Sequence, residues 1–130
     1  MTKTAMLDTS VLISGVPEEI VDRIEDYCSS MICRAELAHG LAAFEKDASR
    51  FAQLAIRREL LRLLDSIPGF WAAFDLPAAD GYGALTAKPK SAIRLKDALI
   101  AGHALALGLP LFTEDAGFSR FPAVTIHKPG

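Results

Sequence analysis

Short apolar runs alternate along the chain with longer stretches of helical periodicity. Ala5-Met6-Leu7 reads as a strand that ends at the loop Asp8-Thr9-Ser10. Beyond Pro17-Glu18-Glu19, the apolar positions Ile20, Val21, Ile24 and Tyr27 recur at helical spacing. Residues 29–33 are short enough for a second buried strand, and the Ala- and Leu-rich residues 35–41 favour a helix. Residues 47–65 predict a longer helix, stopped by Pro68-Gly69. A short strand over 70–76 and a short helix over 77–87 follow, then the loop 88–91. The clearest remaining helix is 95–107, with Leu99, Ile100, His103 and Leu107 on one side and Gly108 where a C-terminal cap belongs. Residues 109–112 then form a strand running into Thr113-Glu114-Asp115, and 124–126 give a last strand.

Strands alternating with helices imply a three-layer α/β/α arrangement around a central, mainly parallel sheet. No repeat, low-complexity tract or linker divides the 130 residues, and 51% apolar residues suffice for one core, so a single domain over 1–130 is expected. No apolar run reaches the roughly 18 positions a membrane span requires, and the opening residues lack the apolar core of a signal peptide. A cytoplasmic protein with no membrane association is the expectation. Cys28 and Cys33 have neither CxxC spacing nor a companion histidine cluster, which predicts ordinary thiols. A net charge of −2 gives no general attraction to a polyanion, so any nucleic-acid contact must come from local basic patches.

The carboxylates change the picture. Ligands of open α/β sheets collect beyond the carboxyl ends of the strands, and Asp8 and Asp115 each follow a strand-like run. Glu36 stands near the start of the helix after the second strand, and Asp97 near the start of the 95–107 helix. Four acids on one rim would repel one another unless a cation neutralised them. Oxygen-only donors suit magnesium, with manganese a fit as well. Such an ion promotes phosphodiester hydrolysis. Taken singly, each acid also reads as a turn residue, a helix cap or a partner of the helix dipole, and Glu36 as a solvent-facing glutamate.

The wording around these acids resembles the PIN-domain family. Leu7-Asp8-Thr9-Ser10-Val11-Leu12-Ile13 resembles its opening motif, and Ala35-Glu36-Leu37-Ala38-His39-Gly40 is similar to its A-E-L-x-x-G segment. Residues 96–104, from Lys96-Asp97-Ala98, look like its D-x-x-I-A-x-x-A helix, and Thr113-Glu114-Asp115 resembles its T-x-[N/D] ending. The resemblance implies a PIN-like fold and a magnesium- or manganese-dependent endoribonuclease. Its catalytic and metal-binding cluster would be Asp8, Glu36, Asp97 and Asp115, with Thr113 placing the catalytic water or bonding beside the last acid. Small size and motif spacing are most similar to the VapC toxins. That implies an RNA substrate, inhibition of translation, a cognate antitoxin and a homodimer. Departures are Gly117, where many relatives carry another acid or a histidine, and residues 30–34, where a Ser/Thr-rich segment is usual.

Other residues bear two readings. Thr9 or Ser10 would orient Asp8 or contact phosphate, or serve as turn hydroxyls. Arg50, Arg57, Arg58 and Arg62 would grip RNA or an acidic antitoxin, but more often such a run is a solvated face. Leu54, Leu60, Leu61, Leu63 and Leu64 exceed one core stripe and suggest a protein contact. His39 and His103 read as packed or half-exposed rather than catalytic, and Phe70, Trp71 and Phe74 as core or interface. Two other functions compete. An aspartate-based phosphatase normally has a second acid two positions after the first, where Ser10 stands. A catalytically weak PIN-fold binding module has no need of four intact acids.

Overall fold

The computed structural model describes residues 3–87 and 94–128, so the loop expected at 88–91 lies outside the described residues. Its centre is the strand β1 (Ala5–Leu7), all three residues of which are fully buried. On either side stand β2 (Tyr27–Ser30), β3 (Trp71–Ala72), β4 (Leu111–Phe112) and β5 (Ile126–His127), in the order β3-β2-β1-β4-β5. Every pairing is parallel.

The two-residue side-chain period of a strand sends neighbours to opposite faces, and this builds two cores. Met6 is in register with Cys28 and Leu111, and all three enter one core. Leu7 is in register with Phe112, and both pack into the other. Helices cover both faces, which is the three-layer α/β/α arrangement with a sheet that is wholly parallel. The Met6 core takes Ala98, Ile100, Ala101 and Ala104 of α6 (Leu95–Leu107); the Leu7 core takes Leu37 of α3 (Met31–Glu45) and Leu61 and Leu64 of α4 (Phe51–Asp65). Each large aliphatic side chain so buried contributes about 1.5–3 kcal/mol.

Helix starts depart from the sequence reading where a polar residue caps earlier than the apolar pattern suggests. Asp8 accepts from the backbone N–H of Ser10, so α1 (Thr9–Ser14) begins directly after β1 in place of the expected loop. The helix expected after Pro17 is only α2 (Glu18–Val21), followed by a 3-10 turn at Ile24–Asp26. Ser30 Oγ accepts from Ile32 N–H at 3.1 Å, which ends β2 at Ser30 and opens α3 at Met31. The strand expected over 29–33 is therefore shifted toward Tyr27, and Cys33 is helical. Asp47 caps a 3-10 turn, Ala48–Arg50, that leads into α4. Asp75 likewise caps α5 (Leu76–Thr86), leaving β3 two residues long. Gly108 closes α6 at φ 67°, as expected.

The buried face of α6 spans Ala98 and Ile100 to Ala104, whereas Leu107 is exposed. Gly81 of α5 and Gly102 of α6 meet so closely that a Cβ at either would run into the other helix's backbone. On α4, Leu54, Leu61 and Leu64 are core residues and Leu60 is half-buried, so the apolar excess attributed to a protein contact is mostly interior. Leu63 is exposed, as are Phe51 and Ile56. Phe70 is fully buried and edge-on to Trp71, whose indole N–H donates to Asp65 at 2.8 Å. Among the described residues, no helix is long and apolar enough to cross a membrane.

Candidate active site

The chain runs outward from β1 to β2 and β3 on one side and returns to place β4 and β5 on the other. The direction of winding therefore reverses between β1 and β4, and in open α/β sheets ligands bind beyond the strands' carboxyl ends at such a point. Asp8 follows β1 at that point, and Thr113 follows β4.

Both are nearly or fully buried, and they bond directly. The Thr113 hydroxyl donates to Asp8 Oδ2 at 2.8 Å, and the Ser10 hydroxyl donates to the same oxygen at 2.8 Å. The Ser10 and Thr113 oxygens are 3.2 Å apart, with both protons committed to Asp8. Those oxygens in turn accept the backbone N–H groups of Glu114 and Asp115, each at 3.0 Å. Asp115 caps a 3-10 turn (Ala116–Arg120) by accepting Gly117 N–H at 2.8 Å. Thus Asp8, Ser10, Thr113 and Asp115 are one connected network. Among the described residues, all hydrogen bonds to the Asp8 carboxylate fall on Oδ2.

Glu36 lies in the second turn of α3 and is tied to α1 through Thr9, whose hydroxyl donates to Oε1 at 3.0 Å. Asp97 lies in the first turn of α6. Its carboxyl is pushed up from its ordinary value, first by burial and then by the charges of Asp115, Asp8 and Glu36, while Arg94 pulls it down. Asp97 is therefore within electrostatic reach of the other three predicted acids. Among the described residues, no group of three acidic, histidine or cysteine side chains closes on a single ion-sized point.

Two cations that the sequence analysis did not single out neutralise part of this rim. Arg94 bridges Asp97 (Nε to Oδ2, 3.0 Å) and Asp115 (Nη2 to Oδ2, 3.0 Å), and Lys96 Nζ is 3.4 Å from Glu36 Oε2. Their side chains are 69% and 65% exposed, so the pairs are weak and displaceable. The available signal was their placement one and three positions before Asp97.

The remaining candidates separate cleanly. His103 is buried; its Nδ1 lies 2.8 Å from Ser30 Oγ and its ring is edge-on to Phe74. Burial pushes it below its ordinary value of 6.5, so it is neutral at pH 7. His39 is exposed and lines a cleft beside Glu36. Burial pushes the Cys28 and Cys33 thiols up to about 11, so both are protonated at neutral pH. Arg50, Arg58 and Arg62 pair with Asp47, Glu45 and Glu59 as solvated ion pairs. Arg57 has no such partner among the described residues.

The sequence profile of the PIN domain matches residues 5–124. No curated protein matches the chain at the level of sequence. Among solved structures, the chain is similar to VapBC2 from Rickettsia felis bound to a DNA fragment from its promoter, at 22% identity and TM-score 0.76, covering 98% of this chain and 99% of the other. It is similar to DNA-bound VapBC from Salmonella typhimurium at 28% identity and TM-score 0.69, covering 98% of each chain. It is similar to VapBC-5, a toxin–antitoxin family member from Mycobacterium tuberculosis, at 25% identity and TM-score 0.74, covering 96% of each.

Proposed function

The chain belongs to the PIN-domain family, and from that premise we propose that it is a metal-dependent endoribonuclease, the toxin of a VapBC-like toxin–antitoxin pair. On this reading residues 1–130 form one cytoplasmic nuclease domain that hydrolyses RNA and thereby inhibits translation. The observation that carries it is the arrangement at the β1–β4 switch: Asp8 is held by two hydroxyls, and Asp97 feels the charges of Asp8, Glu36 and Asp115.

The donor set fits a hard divalent cation. All four groups are carboxylates, exposed and displaceable cations pair with three of them among the described residues, and a loose ring suits an ion that retains several waters. Magnesium is the cofactor we propose, with manganese able to replace it, held by Asp8, Glu36, Asp97 and Asp115. Bound there, it supplies positive charge to the phosphoryl oxygens and makes water a stronger nucleophile at neutral pH. The side chains do the positioning. Ser10 and Thr113 fix Asp8 through Oδ2 and leave Oδ1 as its reactive oxygen, while Thr9 fixes Glu36. No side chain is required as a nucleophile.

The likeness to chains of VapBC complexes supports an antitoxin as the protein partner. Ile56 and Leu63, seven residues apart on one side of α4 and both exposed, supply apolar surface for the homodimer we also propose. The test is digestion of cellular RNA by antitoxin-free protein with magnesium, manganese or chelator. Metal-dependent cutting is expected, lost in Asp8→Asn, which preserves the helix cap, and in Asp97→Ala. A folded wild-type protein that leaves RNA intact in magnesium and manganese overturns the proposal.

A further inference from the structure

A cleft of about 430 Å³ opens beside the acidic rim, between α1, α3 and α4. Thr9 and Glu36 of the candidate site form its inner wall; Ile13, Ile32 and Ala35 are apolar wall residues, and Lys96 and His39 are the polar groups beside them. Arg57 of α4 completes the lining. It is half-buried, and its Nη1 donates to the backbone carbonyl of Leu37 at 3.3 Å while the guanidinium carbon sits 5.2 Å from the centroid of the Phe44 ring. Gly40 makes this seat possible, because a Cβ there would collide with the guanidinium. The other three arginines of this region pair with carboxylates of the chain, whereas Arg57 keeps Nε and Nη2 unengaged among the described residues.

A cation fixed in an apolar cleft asks for a ligand that is part anion and part flat apolar surface. Such a nucleotide would emerge from a phosphodiester held at the adjoining acids. Resting on the ribonuclease reading, we propose that this cleft receives the nucleotide flanking the scissile phosphodiester of RNA, with Arg57 binding that nucleotide's phosphate. Apolar wall residues then pack on the base and sugar, and the guanidinium supplies charge-assisted hydrogen bonds to phosphate oxygens. Arg57 is thus a substrate-positioning residue remote from the bond that breaks.

The test compares wild type, Arg57→Ala, Arg57→Lys and Gly40→Ala on a single-stranded RNA spanning a mapped cut site and on versions trimmed nucleotide by nucleotide from each end. Loss of the phosphate contact is expected to raise KM by about tenfold or more in Arg57→Ala, with kcat little changed, and Lys to restore part of it. The difference should vanish on substrates too short to reach the cleft. Gly40→Ala displaces the guanidinium without removing it, and alanine favours the helix, so this variant should melt no lower than wild type yet show a raised KM. Binding of labelled RNA in chelator is measured in parallel. Wild-type cutting with KM unaffected by Arg57→Ala and Gly40→Ala at every length overturns the proposal and leaves the ribonuclease reading standing. Arg57-dependent RNA binding without any cutting supports the cleft and overturns ribonuclease activity. Loss confined to capture of a protein partner, with RNA unaffected, assigns the cleft to that partner and overturns the proposal.

Discussion

The two halves of the acidic rim are built differently. Around Asp8 the charge is met by the hydroxyls of Ser10, half-buried, and Thr113, fully buried, at the sheet's switch point, both anchored by backbone N–H groups. Around Asp97, Asp115 and Glu36 the opposite charge comes from the long, exposed side chains of Arg94 and Lys96, beside the neutral donors Thr9 on Glu36 and Gly117 N–H on Asp115. The first arrangement cannot relax without disturbing β1 and β4; the second can open at almost no cost. On the proposed reading, one half would set the position of a reactive carboxylate, and the other would hold the remaining acids neutralised until a divalent cation displaced Arg94 and Lys96.

This contrast can be broken most severely at Thr113. Thr113→Val keeps the shape but removes the donor to Asp8 and the acceptor for Asp115 N–H in a fully buried place. RNA cleavage should fall roughly tenfold to a hundredfold, and urea unfolding should report a loss of about 1–3 kcal/mol. Unchanged rates would mean that Asp8 needs no such support.

The second half is secured from beneath by His103, which joins α6 to Ser30 at the start of α3 and so ties the two helices that carry Asp97 and Glu36. Since His103 is held below its ordinary value of 6.5, the unfolded chain takes up a proton more readily than the native protein. The contribution of His103 to stability is full above pH 6.5 and declines as pH falls below it. Denaturation at pH 7.5 and 5.5 should show this slope, and His103→Gln should flatten it.

Arg94→Ala should give the smallest change, and one of opposite sign. Its exposed ion pairs contribute less than about 1 kcal/mol to stability. Without that competing cation, the magnesium concentration for half-maximal cleavage should drop severalfold. A rise would instead make Arg94 part of the substrate grip.

The sequence disclosed these halves unequally. The places of the four acids and Thr113 at strand ends and early helix turns were legible because they lie inside recognisable wording. Arg94 and Lys96 were not, since the partners of long exposed side chains depend on which loops meet in space. Thr9 and Ser10 read alike in the sequence, yet one hydroxyl serves Glu36 and the other Asp8. Of the fold, α6 with its glycine cap and the alternation of strands and helices were plain from periodicity. The β2–α3 boundary was misplaced because residues 29–33 look like a buried strand, while Ser30 spends its hydroxyl capping a helix. Among the arginines near α4, Arg50 and Arg62 pair with acids three residues away, whereas the seat of Arg57 against Leu37 and Phe44 depends on how α4 meets α3.

The crossing of α5 and α6 carries a different kind of constraint. Gly81 and Gly102 each occupy space that the other helix's backbone already fills, so neither can be exchanged by any single amino-acid step without adding at least one carbon atom where a peptide group stands. Nor can a change at one be absorbed by shrinking the other, since glycine has nothing left to remove. The two sites are therefore a dead end for sequence drift. A lineage of this chain is free to rewrite the exposed faces of both helices, but the pairing that sets where α6 lies, and with it Asp97, stays fixed as long as these helices cross at that distance.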